Sequence, residues 1–264
     1  MGLPQAIEQI RPSIVQFCFM ATDLSEKLHQ QVGAPFLKKV IGTGFFVNDD
    51  GCVITARHVL QGGMQLISRV DAGRKNMLVG LGLPNSENFV GNTVLVDFGL
   101  VDENENHDLA LIKLRRNPFR GEVSSGVRIG VNDVPVLTGV VRLNPDRPLE
   151  GQSVGVSGYP FDKSVLVTNS GCIASIWTTP NYLADVEVNP GNSGGPVYLI
   201  DDTSVIGVCV ATEGSPVWHD RGEAAQILGH TLYSSSGLAH IIPTKFVTEI
   251  LEKNKLSFTT TTSK

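Results

Sequence analysis

The feature that most constrains this chain is a succession of short apolar runs separated by turn residues, with almost no helical periodicity between them. Runs at 14–19, 42–47, 52–55, 92–98 and 109–114 are followed by others at 153–157, 165–176, 183–188, 195–200, 205–211 and 238–242. Between 47 and 52 the turn Asn48-Asp-Asp-Gly51 carries an Asp-Gly pair, a strong hairpin signal when apolar runs flank it. The 28 glycines exceed the roughly 18 that average usage gives for this length, and they fall between the runs. Strand following strand in this way favours antiparallel barrels or sandwiches over βαβ folds. One helix is expected, opened by Pro243, because Phe246, Val247, Ile250 and Leu251 share one face at helical spacing.

Residues 115–150 are rich in Arg, Pro, Gly, Asn and Asp. They read as a crossover between two halves, with one or two further strands. The expected division is a 1–12 extension, a first barrel over 13–120, a crossover over 121–150, a second barrel over 151–242, a helix over 243–255 and a flexible tail over 256–264. The segment 214–236 reads as a polar loop beside the pocket strand, either a gate that orders on substrate or partner binding or a disordered surface insertion. It holds Trp218, His219, Asp220, Arg221 and His230. No further ligands cluster with the two histidines, so no metal is expected.

Charge and cysteine usage narrow the function classes. The net charge is −5 and no basic stripe occurs, so a nucleic-acid partner is not expected. No apolar stretch is long enough to cross a bilayer. The Met-Gly-Leu-Pro-Gln-Ala start lacks the basic and apolar pattern of a leader, and Ala6 stands where a myristoylation motif needs Ser or Thr. Cys18, Cys52, Cys172 and Cys209 match no metal-ligand spacing and lie in strand-like segments. They read as buried thiols in a reducing compartment. Together these observations predict a cytoplasmic chain.

Three segments carry candidate chemistry. In Asn189-Pro-Gly-Asn-Ser-Gly-Gly-Pro-Val197, glycines let Ser193 sit on a tight turn. The amides of Gly191, Asn192 and Ser193 could there face an oxyanion, worth about 2.7–4 kcal/mol per donor. In Thr55-Ala-Arg-His58-Val-Leu, a histidine after a β-run suits proton shuttling near neutrality. In His107-Asp108-Leu-Ala-Leu-Ile-Lys-Leu114, an acid at the mouth of a strand suits holding an imidazole tautomer. Each alone reads equally well as a glycine-rich turn, a structural histidine or a strand cap. His107 is a rival base, but it would point the opposite way along an extended chain from Asp108. The order His58, Asp108, Ser193 is that of one protease class and not of subtilisins or α/β-hydrolases.

These pieces, with Gly42-Thr-Gly-Phe-Phe-Val47, Asp185-Val-Glu-Val-Asn-Pro, Val205-Ile-Gly-Val and Leu238-Ala-His-Ile-Ile-Pro, resemble the trypsin-like serine proteases. The disulfide-free HtrA/Deg branch is the nearest. The resemblance implies an all-β fold of two antiparallel six-stranded β-barrels, the trypsin-like double barrel, with a C-terminal helix. It implies a serine endopeptidase acting on protein or peptide substrates through an acyl-enzyme, without a cofactor. It admits a trimer, which no motif here specifies. A catalytically silent binding module on the same fold is the alternative.

The sequence also departs from the pattern. Gly194 replaces the aspartate that completes zymogen activation in digestive trypsins. No cysteine brackets His58. Arg57 stands where a small residue is usual. The sequence ends after the helix, so no PDZ domain is expected. For the pocket that would take the residue before the cut, the candidates are Glu187, Val188, Ala211, Thr212 and Glu213. An inward Glu187 would favour Lys or Arg, an inward Val188 small aliphatic residues, and strand alternation forbids both.

Overall fold

The computed structural model describes residues 1–22, 36–69, 74–82, 93–122, 127–129, 136, 138–162, 165–177, 180–218, 226–227 and 230–261. His219, Asp220 and Arg221, most of 123–137 and the last three residues of the tail lie outside this set.

Helix α1 (Leu3–Ile10) opens the chain, with Pro4 in its first turn where a missing N–H costs nothing. It buries Ala6 and Ile10, so part of the expected N-terminal extension is a docked helix. The first half is one eight-stranded sheet. Its strands are β1 (Ile14–Thr22), β2 (Phe36–Phe46), β3 (Cys52–Ala56), β4 (Arg74–Gly82), β5 (Thr93–Val96), β6 (Phe98–Asn104), β7 (Leu109–Leu114) and β8 (Val127–Ile129). They lie in the order β6-β7-β3-β2-β1-β4-β5-β8. This half has more strands than the six expected, and its ladder does not return on itself among the described residues.

The hairpin β2–β3 pairs Phe45 with Ile54 across the Asp-Gly turn, where Gly51 adopts φ 81°. Strand β3 is buried at every position and β7 at all but Lys113. These central strands are covered on both faces and therefore read as continuous apolar runs. Helix α2 (Arg57–Arg69) follows β3 directly, where no helix was expected. Gly62-Gly63 reads as a breaker in sequence. In the fold, a Cβ on Gly63 would strike the Met77 sulfur and Ile41, so the glycine lets α2 lie close against β2 and β4.

The second half contains β9 (Arg142–Leu143), β10 (Ser153–Gly158), β11 (Val167–Ser175), β12 (Tyr182–Asp185), β13 (Pro196–Leu199) and β14 (Val205–Pro216). The short pair β15 (Gln226–Ile227) and β16 (His230–Thr231) precedes β17 (Tyr233–Pro243) and β18 (Thr259–Thr260). The ring β10-β11-β12-β17-β14-β13 closes back on β10, a six-stranded antiparallel barrel. Its core gathers Val154, Val156, Ile173, Val188, Val197, Ile206, Cys209 and Ile241. The molecule is thus nearly all-β, in the expected double-barrel class, with one closed barrel and one rolled sheet.

Two segments differ from their expected form. The ends of the 214–236 segment are strand, with Gly214 paired to Ser235 and Pro216 to Tyr233, so β14 and β17 continue outward as a ribbon. The tail is paired as far as β18, which runs parallel to β9. Helix α3 (Thr244–Lys253) forms where expected and buries Phe246, Val247, Ile250 and Leu251. It packs into the larger core, which holds the strands of the first half, and each such side chain contributes roughly 1.5–3 kcal/mol by burial. Lys253 and Asn254 at its end reach Asp102 on β6 at 2.8 and 2.7 Å.

Candidate active site

The end of β3 delivers His58, the second residue of α2, to a cleft edge. The turn between β6 and β7 delivers Asp108, which adopts the left-handed φ of 49°. Side chains resist this conformation, and here it is held from several sides. The Arg57 N–H donates to the Asp108 carbonyl at 2.9 Å, and the His58 N–H donates to Asp108 Oδ1 at 2.9 Å. Asp108 Oδ2 lies 2.6 Å from His58 Nδ1. A carboxylate only accepts, so Nδ1 is the donor in this bond.

His107 turns away from this pair. Its ring stacks on Phe246 with centroids 3.5 Å apart, and burial pulls its pKa down. Arg57 has a partner set of its own. Its Nε lies 3.2 Å from Glu103 Oε2, and its Nη1 lies 3.4 Å from Glu105 Oε1.

The serine turn lies between β12 and β13. Gly191 and Gly194 take φ of 105° and 84°. A Cβ at Gly194 would fall against the Thr43 carbonyl and the Thr55 hydroxyl, which explains the glycine after Ser193 in terms of packing. The turn is knotted by its own groups. The Asn192 N–H donates to the Asn189 carbonyl at 2.9 Å, and the Asn189 N–H donates to Asn192 Oδ1 at 3.0 Å.

Of the three amides expected at an oxyanion site, that of Asn192 is therefore taken. The amides of Gly191 and Ser193 meet no acceptor among the described residues. The Pro190 carbonyl accepts from the Phe161 N–H at 2.8 Å. A trans peptide directs its N–H opposite to its carbonyl, so Phe161 fixes which way the Gly191 N–H points. Phe161 does so from φ 53°, a strained value for a bulky residue. The Ser193 hydroxyl rests on the Val210 carbonyl at 3.3 Å.

One residue that holds the candidate site together was not singled out in the sequence. Thr43, fully buried on β2, donates its N–H to the Ser193 carbonyl at 2.9 Å. Its hydroxyl donates to the Gly191 carbonyl at 2.7 Å and accepts the Tyr159 N–H at 3.0 Å. Its own carbonyl accepts from the Thr55 hydroxyl at 2.6 Å. A residue of the first half thus grips the serine turn of the second. The Gly42-Thr-Gly44 spelling was its signal, a polar residue kept inside an apolar strand between two glycines.

Two cavities flank these groups and share Pro190 in their walls. One, of about 400 Å³, is lined by His58, Val40, Ile41, Val59, Phe161 and Gly191, with Lys39 among its edges. The other, of about 260 Å³, is lined by Val188, Asn192, Ser193, Cys209, Ala211 and Thr212. Val188, Ala211 and Thr212 are therefore brought together as pocket candidates. Glu187 and Glu213 are not in that wall. Glu187 is exposed beside the buried Val188, and Glu213 pairs with His240 at 3.7 Å. Burial alternates along 186–188 and leaves Glu187 on the solvent side, away from this wall, which gives the inward Glu187 no support.

The chain is similar in sequence and fold to known proteins. A family model described as trypsin-like peptidase domain matches residues 42–208. A probable periplasmic DegP-like serine endoprotease of Halomonas elongata is 27% identical over 179 residues, covering 65% of this chain and 29% of that protein. One from Chlamydia muridarum is 29% identical over 180 residues, covering 65% and 28%. The chain thus spans less than a third of the length of these curated relatives. A crystal structure of a serine endoprotease from Yersinia pestis shares the fold, with a TM-score of 0.54 at 19% identity over 96% of this chain and 66% of that one.

These relatives correct one expectation. They are named periplasmic, which overturns the cytoplasmic reading. That reading leaned on the opening residues and on the reduced cysteines. All four cysteines are indeed free, but three are buried, out of reach of an oxidant or a second thiol, so their state says nothing about the compartment. With the match spanning the hairpin that holds Thr43, the histidine helix, the aspartate turn and the serine turn, the chain belongs to the trypsin-like peptidase domain family.

Proposed function

We propose that this chain is a serine endopeptidase that cuts protein or peptide chains with Ser193, His58 and Asp108. The observation that carries the reading is the double hold of Asp108 on His58, through the ring at 2.6 Å and the backbone at 2.9 Å. This hold leaves Nε2 basic. The Ser193 oxygen attacks the scissile carbonyl while Nε2 takes the hydroxyl proton. The oxyanion that forms accepts from the Gly191 and Ser193 amides. Collapse breaks the C–N bond, and the imidazolium returns its proton to the leaving amine. Water, activated by the same imidazole, then cleaves the acyl-enzyme.

The pocket beside Ser193 presents Val188, Cys209, Ala211 and Thr212, with no charged group in its lining among the described residues. An uncharged side chain of moderate size before the cut fits it. The DegP-like names of the relatives support an endoprotease working on proteins outside the cytoplasm.

The alternative, a silent module that binds chains without cutting them, draws on one contact, the Ser193 hydroxyl resting on the Val210 carbonyl. Incubation with an unfolded protein, with cleavage sites mapped by mass spectrometry, separates the two. The expected result is cutting and fluorophosphonate labelling by the wild type, both lost in Ser193→Ala by a factor on the order of 10⁶ in kcat. Wild-type cutting by the variant would refute the assignment, and an unlabelled, inert wild type would favour the silent module.

A further inference from the structure

We propose that Arg57 is a positioning residue for the Asp108–His58 pair, clasping the turn that carries the acid to the helix that carries the base. The proposal rests on the serine-endopeptidase reading above.

Arg57 is the first residue of α2 and the neighbour of His58. Its backbone N–H donates to the Asp108 carbonyl at 2.9 Å. Its side chain, only 18% exposed, reaches Glu103 near the end of β6 at 3.2 Å and Glu105 in the turn at 3.4 Å. Glu105 in turn accepts the Asp108 N–H through its carbonyl, but at a long 3.4 Å. With its amide oxygen turned inward, Gln61, one helical turn along, accepts from Arg57 Nη1 at 2.7 Å. The guanidinium is thus fixed from its own helix and from the turn at once.

The turn needs such a hold. Asp108 sits at φ 49°, a conformation that persists in a non-glycine residue only where its surroundings impose it. Without the Arg57 side chain, Glu103 and Glu105 lose their counter-charge, and the segment 103–108 stays tied to α2 only through the backbone N–H groups of residues 57 and 58.

The cost falls on geometry and not on the fold. Both glutamates are exposed, 43% and 78% at the side chain, and ion pairs of that kind contribute little to stability. A displacement of about 1 Å between reacting groups, by contrast, costs on the order of 100-fold in rate. Lysine keeps one charge but cannot fork between two carboxylates, so it restores the clasp in part.

The test is steady-state cleavage of a peptide substrate by Arg57→Ala, Arg57→Lys and Glu103→Gln/Glu105→Gln. In the alanine variant kcat is expected to fall about 10- to 100-fold, with KM and melting temperature held near wild type. Lysine should recover part of the loss. The double glutamine variant should match the alanine variant, and combining the two should add nothing further, because both remove one clasp. Wild-type kcat in Arg57→Ala overturns the proposal, as does a loss that lysine does not relieve. Full activity in Ser193→Ala would instead remove the triad reading on which it stands, so the two failures are told apart.

Discussion

Asp108 meets His58 twice, its Oδ2 at 2.6 Å from the ring Nδ1 and its Oδ1 at 2.9 Å from the His58 backbone N. The carboxylate therefore sets both the tautomer of the imidazole and the start of the helix that bears it. Asp108→Asn exchanges one acceptor for a donor. The ring then turns its proton to Nε2, where it blocks attack. The expected result is a fall in kcat of about 10⁴-fold, the cost of this change in Ser-His-Asp triads. Because one amide oxygen can still accept the His58 N–H, the melting temperature should change little. A rate within tenfold of wild type would contradict this role.

The pocket beside Ser193 makes a specificity prediction. Val188→Phe places a ring in the cavity of about 260 Å³. It should lower kcat/KM for peptides with leucine or methionine before the cut by roughly 10- to 200-fold, and less for alanine. Glu187→Gln should leave cleavage after Lys or Arg unchanged, since that carboxylate faces solvent. A peptide-library profile reads both, and a loss of Lys or Arg cleavage in the glutamine variant would return Glu187 to the pocket.

Gly194 is a position that cannot take a side chain without strain. Its φ is 84°, and a methyl group there meets the Thr43 carbonyl and the Thr55 hydroxyl, both fixed in strands. Gly194→Ala should destabilise the fold by more than ~2 kcal/mol, read as a lowered urea midpoint. Gly62→Ala offers the control, because nothing lies within 4 Å of its Cβ, and its midpoint should hold or rise.

Stability should also carry a signature of His107. Burial against Phe246 holds its pKa below the ordinary imidazole value, with Lys245 acting in the same direction and Glu249 against it. The fold thus prefers the neutral ring. The contribution is whole above the unfolded pKa of about 6.5 and is lost as the pH falls below it. His107→Phe keeps the stack and removes the titration. Melting temperatures between pH 7.5 and 5.5 should decline less in the variant than in wild type, and parallel curves would exclude the effect.

Much of this architecture was legible in the residues, for reasons that differ by segment. Strand β7 was bounded correctly because Leu109–Leu114 is an unbroken apolar run, flanked by polar residues and doubly covered. The hairpin β2–β3 announced itself through Asn48-Asp-Asp-Gly51, and α3 through its apolar stripe. Helix α2 did not, because Gly62-Gly63 spells a breaker when only local propensity is weighed, and the packing against Met77 that calls for Gly63 is a tertiary fact. Strand β4 was missed as well, since Arg74-Lys-Asn begins it with polar residues and only Met77–Leu81 looks like strand. At the site, His58, Asp108 and Ser193 stood out by their flanking motifs. The side to which Glu187 turns is set by the path of the chain beyond β12, which the residue types near 187 do not encode. Thr43 was hidden for a related reason: its four bonds all run to residues more than ten positions away.

That threonine has a consequence for how the molecule could be divided. The turn that carries Ser193 belongs to the closed barrel by sequence, yet its seat is furnished by a strand of the other half. Separated from the first half, the serine turn would lose the bonds that Thr43 makes to Ser193 and Gly191. Any chimera exchanging barrels between related proteins must carry the 42–44 segment and the serine turn as a matched set.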